Sequence, residues 1–139
     1  MEQTLAIIKP DGVSQGLAGE IIRRIESENI RITGIKMILM DKRKAEGFYY
    51  IHRHKSFFSS LIEFMTSGPV ILMVLSGPDV IARWRRIMGT TDPAAAEAGT
   101  IRAIYGLDIE HNIVHGSDSP DNALFEITYF FKPDEMVGS

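Results

Sequence analysis

The chain has 139 residues, 45% apolar and 24% charged, with a net charge of −3 and no cysteine. That length suits a single domain over 1–139 with a substantial core. The missing cysteine excludes disulfides, zinc–thiolate sites and cysteine nucleophiles, and the acidic balance argues against general nucleic-acid affinity.

The N-terminus, Met1-Glu2-Gln3-Thr4, lacks the basic start and apolar run of a secretory signal. The longest apolar run, Val70 to Leu75, falls far short of the ~20 residues that span a bilayer. A cytoplasmic, soluble protein is the expectation. The charge is uneven, because residues 1–100 hold 13 of the 15 Lys and Arg and 11 of the 18 acids. Local Arg clusters in an acidic protein suit a compact anion such as a phosphate group.

Thr4 to Ile8 reads as a short buried strand ended by Pro10. Leu17, Ala18, Ile21, Ile22 and Ile25 recur at helical spacing and predict an amphipathic helix to about Glu28. Residues 31–39 read as a second strand, with Ile35, Met37 and Leu39 on one face. A polar stretch rich in Tyr and His follows, from Arg43 to Lys55, and Phe58, Leu61, Ile62 and Met65 mark another helix.

Ser67-Gly68-Pro69 and Ser76-Gly77-Pro78 bracket the continuous apolar run from Val70, the pattern of a central strand buried on both faces. Val80, Ile81, Trp84, Ile87 and Met88 predict the next helix. Gly89 to Gly106 reads as a long loop with a helical turn, and Asn112 to His115 as a last short strand. Ser119-Pro120 has the form of an N-cap with Pro at the first helical position, continued by Ala123, Leu124, Ile127 and Phe131. The polar tail from Lys132 is expected to be loose. The element order suggests an α+β sandwich of the split βαβ, ferredoxin-like type: βαββαβ with a four-stranded antiparallel sheet and added helices. A doubly wound parallel sheet is the rival on pattern alone.

Three segments place polar residues where chemistry could use them. Lys9-Pro10-Asp11-Gly12 follows a strand directly, so Lys9 can hold its ammonium at the sheet rim; it is not a Walker A loop. Arg85-Arg86, Gly89-Thr90-Thr91 and Gly99-Thr100-Ile101-Arg102 combine planar guanidinium forks with Gly/Thr loops, which together can cradle an anion. Asn112-Ile113-Val114-His115-Gly116-Ser117-Asp118-Ser119 ends a strand on a His, just before a helix N-terminus that favours anions. Near pH 7 an imidazole is largely neutral and nucleophilic, and one ring nitrogen can accept a phosphoryl group if the other is held as N–H. Glu126, about two turns into the next helix, is the candidate acceptor, and Ser117 could orient it. His52 and His54 sit among cations that oppose metal binding, and His111 is expected on the surface. A structural His and an exposed Arg face are the ordinary alternatives for these segments.

Together these stretches, with Gly19-Glu20-Ile21-Ile22 and Phe64-Met65-Thr66-Ser67-Gly68-Pro69-Val70, resemble the nucleoside diphosphate kinase family over essentially the whole chain. The resemblance implies transfer of the γ-phosphate of a nucleoside triphosphate such as ATP to a nucleoside diphosphate, by a ping-pong route through a phosphohistidine, with Mg²⁺. It implies that His115 is the nucleophile, Glu126 holds its far nitrogen, and Ser117 supports Glu126. Lys9 matches the lysine that reaches the transferred phosphate and the ribose, and Tyr49 a tyrosine beside the histidine. Arg85, Thr91 and Arg102 match the phosphate grip, Asn112 the ribose contact, and Phe57 the aromatic under the base.

No dedicated metal ligand is implied, since Mg²⁺ would ride on the phosphates and water. A homo-oligomer, tetramer or hexamer, is implied as well. Two positions depart from the family pattern, Ser56 and Ala98, where members commonly have Pro. The rival from another class is a catalytically silent nucleotide- or RNA-binding ferredoxin-like module.

Overall fold

The computed structural model describes residues 1–138. Four strands form one sheet in the order β2-β3-β1-β4: β1 Gln3–Ile8, β2 Arg31–Ile38, β3 Val70–Ser76 and β4 Val114–Gly116. Every neighbouring pair is antiparallel. The ferredoxin-like expectation therefore holds and the parallel rival does not. The two central strands, β1 and β3, carry continuous apolar runs because both of their faces are covered.

Alternation along those strands divides the core in two. Ala6, Ile8, Ile71, Met73 and Leu75 face helices α2 (Ala18–Ser27) and α5 (Val80–Met88) through Ile21, Ile25, Val80, Trp84 and Met88. Leu5, Ile7, Leu72 and Val74 face α3 (Lys42–Phe48), α4 (Phe58–Met65) and α7 (Pro120–Phe130). The one-turn α1 (Pro10–Ser14) follows β1 directly, and α6 (Ile101–Tyr105) starts at Thr100, whose hydroxyl accepts from Ala103 N. The Ser119 N-cap is as read, with its side chain accepting from Asn122 N.

Three expectations change. The apolar face of β2 points outward, with Ile35, Met37 and Leu39 52%, 58% and 68% exposed. The start of this edge strand packs toward α2 through Ile32, and from Ile35 onward the strand runs beyond the cover of α2 and α5. The last strand begins at Val114 rather than Asn112, because Ile113 turns the chain at a positive φ of 76°. The tail from Lys132 is anchored rather than loose: Met136 packs on the core, and Val137 N donates to Thr33 O at 2.7 Å. An apolar side chain and a backbone hydrogen bond to β2 outweigh its polar composition.

Candidate active site

The cross-strand partner of His115 is Ile7, so its ring falls on the α3/α7 side of the sheet. There it meets Phe48 edge-on at 5.6 Å. The backbone around it is held from the opposite layer: the Trp84 indole donates to His115 O at 3.2 Å, and a Cβ on Gly116 would lie 2.6 Å from that indole.

The corner at Ile113 is fixed by the Lys9-Pro10-Asp11-Gly12 segment. Lys9 N donates to Ile113 O, and Ile113 N donates to Asp11 Oδ2 at 3.1 Å. Gly12 lets the two backbones approach, since a Cβ there would meet Ile113 Cγ2 at 3.0 Å and Ile8 Cγ2 at 2.8 Å. A β-branched residue at positive φ is strained, and strain persists where surrounding contacts over-determine it.

Glu126 reaches the imidazole from α7, with Oε1 2.9 Å from His115 Nε2. The Ser117 hydroxyl donates to the same oxygen at 2.8 Å and itself accepts from Leu5 N at 3.1 Å. A carboxylate at Nε2 favours the tautomer with its proton there and leaves the lone pair on Nδ1. Nδ1 makes no hydrogen bond among the described residues.

Cations line the cavity beside that nitrogen. Lys9 is buried, and its ammonium donates to Asn112 Oδ1 at 2.8 Å. Burial first, then the neighbouring Arg102 charge, lowers its pKa from 10.5 to about 8. Arg102 donates to the carbonyls of Asn112, Gly89 and Val114 at 3.3, 2.9 and 2.7 Å. A guanidinium has five N–H donors, so two remain for a ligand. Burial, then Arg85, lowers the Arg102 pKa to about 10. Asn112 Nδ2 donates to Thr91 O and Ile109 O, so only Oδ1 retains capacity toward a ligand.

Lys9, Tyr49, Phe57, Arg85, Thr91, Arg102, Asn112 and His115 all line one cavity of about 790 Å³. Ser117 and Glu126 stand behind the imidazole rather than in the wall. Arg85 and Thr91 are exposed on the rim, and Phe57 presents its ring to the opening. The Tyr49 hydroxyl is buried without a partner, and burial raises its pKa.

Sequence reasoning missed Asp11, Phe48 and Trp84: Asp11 read as part of a turn, Phe48 lay in the polar stretch from Arg43 to Lys55 where helix α3 was not foreseen, and Trp84 read as an apolar helix position. His111, expected on the surface, is half-buried in the cavity wall against Phe64 and Asp108. No group of three or more His, Cys, Asp or Glu among the described residues could hold a metal ion.

A profile of nucleoside diphosphate kinase matches residues 2–136. The chain belongs to the nucleoside diphosphate kinase family. It is 54% identical over 138 residues to the nucleoside diphosphate kinase of Desulforapulum autotrophicum, covering 99% of this chain and 100% of that one. Against the Geobacter sulfurreducens nucleoside diphosphate kinase it is 52% identical, with 99% and 100% covered. The crystal structure of the Aquifex aeolicus nucleoside diphosphate kinase superimposes with a TM-score of 0.96 at 44% identity, covering 98% of this chain and 99% of that one. The Halobacterium salinarum nucleoside diphosphate kinase, solved in complex with CDP, gives 0.95 at 43% identity, with 99% and 92% covered. Membership makes the chain a phosphotransferase, and a silent nucleotide- or RNA-binding module is not favoured. Among the described residues no helix is long and apolar enough to cross a membrane.

Proposed function

We propose that this member of the nucleoside diphosphate kinase family carries the transferred phosphoryl group on Nδ1 of His115. The observation that carries the reading is the single contact of Glu126 Oε1 with His115 Nε2, 2.9 Å long, which leaves Nδ1 beside a cationic cavity. In the first half-reaction the Nδ1 lone pair forms a P–N bond as the bond from the γ-phosphorus to the β–γ bridging oxygen breaks. The nucleoside diphosphate departs with that electron pair. The acceptor diphosphate then enters the same cavity, and its terminal β-oxygen attacks the phosphorus of phosphohistidine as the P–N bond breaks and its electron pair returns to Nδ1. One pocket serves both halves, as ping-pong chemistry requires.

Glu126 holds the Nε2 proton and offsets the positive charge that the ring gains. Ser117 fixes the carboxylate. Lys9, Arg85, Arg102 and Thr91 grip the phosphates and set the line of attack, which is most of what phosphoryl transfer needs. Asn112 Oδ1 accepts from a ribose hydroxyl, Tyr49 lies beside His115, and the base stacks on Phe57.

Mg²⁺ fits this cavity as part of the nucleotide. The wall carries Lys9, Arg85 and Arg102, and its carboxylates Asp108, Glu110 and Asp118 form no cluster among the described residues that could hold a metal ion, whereas phosphate oxygens and water satisfy a Mg²⁺ shell. When bound, the metal supplies charge neutralisation on the phosphates. A homo-oligomer, tetramer or hexamer, is part of the same reading, supported by the uncovered edge strand β2 and its exposed Ile35, Met37 and Leu39. So is a cytoplasmic location.

The test is transfer of label from γ-labelled ATP to the protein. Acid-labile, base-stable label is expected on the wild type and none on His115→Ala. Label retained by that variant would remove His115 from its role.

A further inference from the structure

Only Ile113 and Val114 separate Asn112 from His115, so the backbone at Ile113 decides how one stands against the other. Both ends of this link are tied down elsewhere. The Asn112 side chain is bonded to Thr91 O, Ile109 O and the Lys9 ammonium, and the His115 carbonyl to Trp84. Between them Ile113 turns at a φ of 76°, a conformation that β-branched side chains rarely adopt.

That turn is gripped from a single segment. Lys9 N donates to Ile113 O at 2.8 Å, and Ile113 N donates to Asp11 Oδ2 at 3.1 Å. The other carboxylate oxygen, Asp11 Oδ1, accepts from Gly12 N at 3.0 Å, which fixes how the carboxylate is presented. Among the described residues no other side chain bonds the Ile113 backbone. Asp11 itself does not line the nucleotide cavity.

We propose that Asp11 is a positioning residue, holding Ile113 in its strained turn and thereby setting Asn112 against Nδ1 of His115. This rests on the assignments of Asn112 to the ribose and His115 to the phosphoryl group. A strained backbone persists only where its surroundings over-determine it. With the carboxylate displaced the turn relaxes, and a nucleotide held by its ribose no longer presents its phosphate in line. Asp11 also carries charge near Lys9. Burial lowers the Lys9 pKa most, Arg102 lowers it further, and Asp11 and Glu110 raise it.

The experiment separates position from charge. Asp11→Asn keeps a carbonyl oxygen for Ile113 N–H and drops the charge, whereas Asp11→Glu keeps the charge and moves the oxygens by one methylene. Two quantities are measured: kcat/KM for ADP against 2′,3′-dideoxy-ADP as acceptor at fixed ATP, and the pH at which the Kd for ADP starts to climb. Asp11→Glu should cut the preference for ADP by about three- to ten-fold, mainly through kcat, and leave that pH in place. Asp11→Asn should hold the preference within about two-fold and move the climb to lower pH.

Equal losses for both acceptors in Asp11→Glu would make the contact merely structural and overturn the proposal. So would the reverse pattern, in which Asp11→Glu matches wild type and Asp11→Asn loses the preference. Asn112→Ala tests the reading beneath. If it keeps the wild-type preference for ADP, the ribose lies elsewhere and that assignment fails. If it loses the preference while Asp11→Glu retains it, Asp11 alone is wrong.

Discussion

Glu126 and Ser117 meet at one atom: the Ser117 hydroxyl donates to Glu126 Oε1 at 2.8 Å, and that oxygen is the one facing His115 Nε2. The carboxylate is thus held from two sides, and its geometry does not depend on a bound nucleotide. Glu126→Ala should lower kcat on the order of 10²-fold, because the ring loses both its tautomer control and its counter-charge. ADP binding to the unphosphorylated enzyme, measured by calorimetry, should change by less than about two-fold. A variant that binds ADP poorly but transfers at the normal rate would undo the orienting role.

Ser117 has a second duty that separates it from Glu126. It is fully buried, and its hydroxyl accepts from Leu5 N in β1. Ser117→Ala therefore leaves a buried amide without its side-chain acceptor, which costs about 1–3 kcal/mol. A lower melting temperature should accompany the lower kcat, whereas Glu126→Ala should melt closer to wild type. Equal melting of Ser117→Ala and wild type would mean that the Leu5 contact contributes nothing.

The fold was legible wherever an apolar pattern had one meaning. The run from Val70, framed by Ser-Gly-Pro turns, is buried on both faces as read. The face formed by Ile35, Met37 and Leu39 was legible as apolar but not as exposed, because periodicity reports a face and not what covers it. His115, Glu126 and Ser117 converge as expected, since the Ser119-Pro120 cap fixes where α7 begins. The part played by Asp11 was not legible. It depends on the positive φ of Ile113, 102 positions along the chain, and no local pattern announces a strained isoleucine. Trp84 was hidden for a similar reason, as an apolar helix position whose indole N–H happens to reach the backbone of the last strand, from the layer opposite the imidazole.

Trp84 is the only tryptophan, and its Nε1 donates to the carbonyl of His115. Phosphorylation of the adjoining imidazole should therefore change its emission. ATP added to the wild type should give a saturable fluorescence change, reversed by excess ADP, and His115→Ala should give none. Trp84→Phe keeps an apolar ring but drops the donor; it should cost about 0.5–1.5 kcal/mol of stability. An unchanged spectrum in fully phosphorylated wild type would break the link between the indole and the site.

Lys9 makes opposite demands on stability and on binding. Its pKa falls from 10.5 in an exposed chain to about 8 in the fold, chiefly through burial and then through Arg102. Between about pH 8 and 10.5 the unfolded chain therefore binds more protons than the folded one, so this residue makes stability rise with pH across that window. The cost of the charge at pH 7 is roughly 3 kcal/mol on that scale. Lys9→Met should remove this rise, and the difference in melting temperature between variant and wild type should narrow from pH 7.5 to pH 9.5. Nucleotide affinity should move the other way. As free enzyme passes pH 8 the ammonium proposed to attract the phosphates is lost, so the Kd for ADP should climb in wild type and stay flat in Lys9→Met. The window stops below the Arg102 value of about 10, where a second cation begins to titrate. Melting curves of the two proteins that run parallel with pH would show that Lys9 keeps its ordinary pKa in the fold.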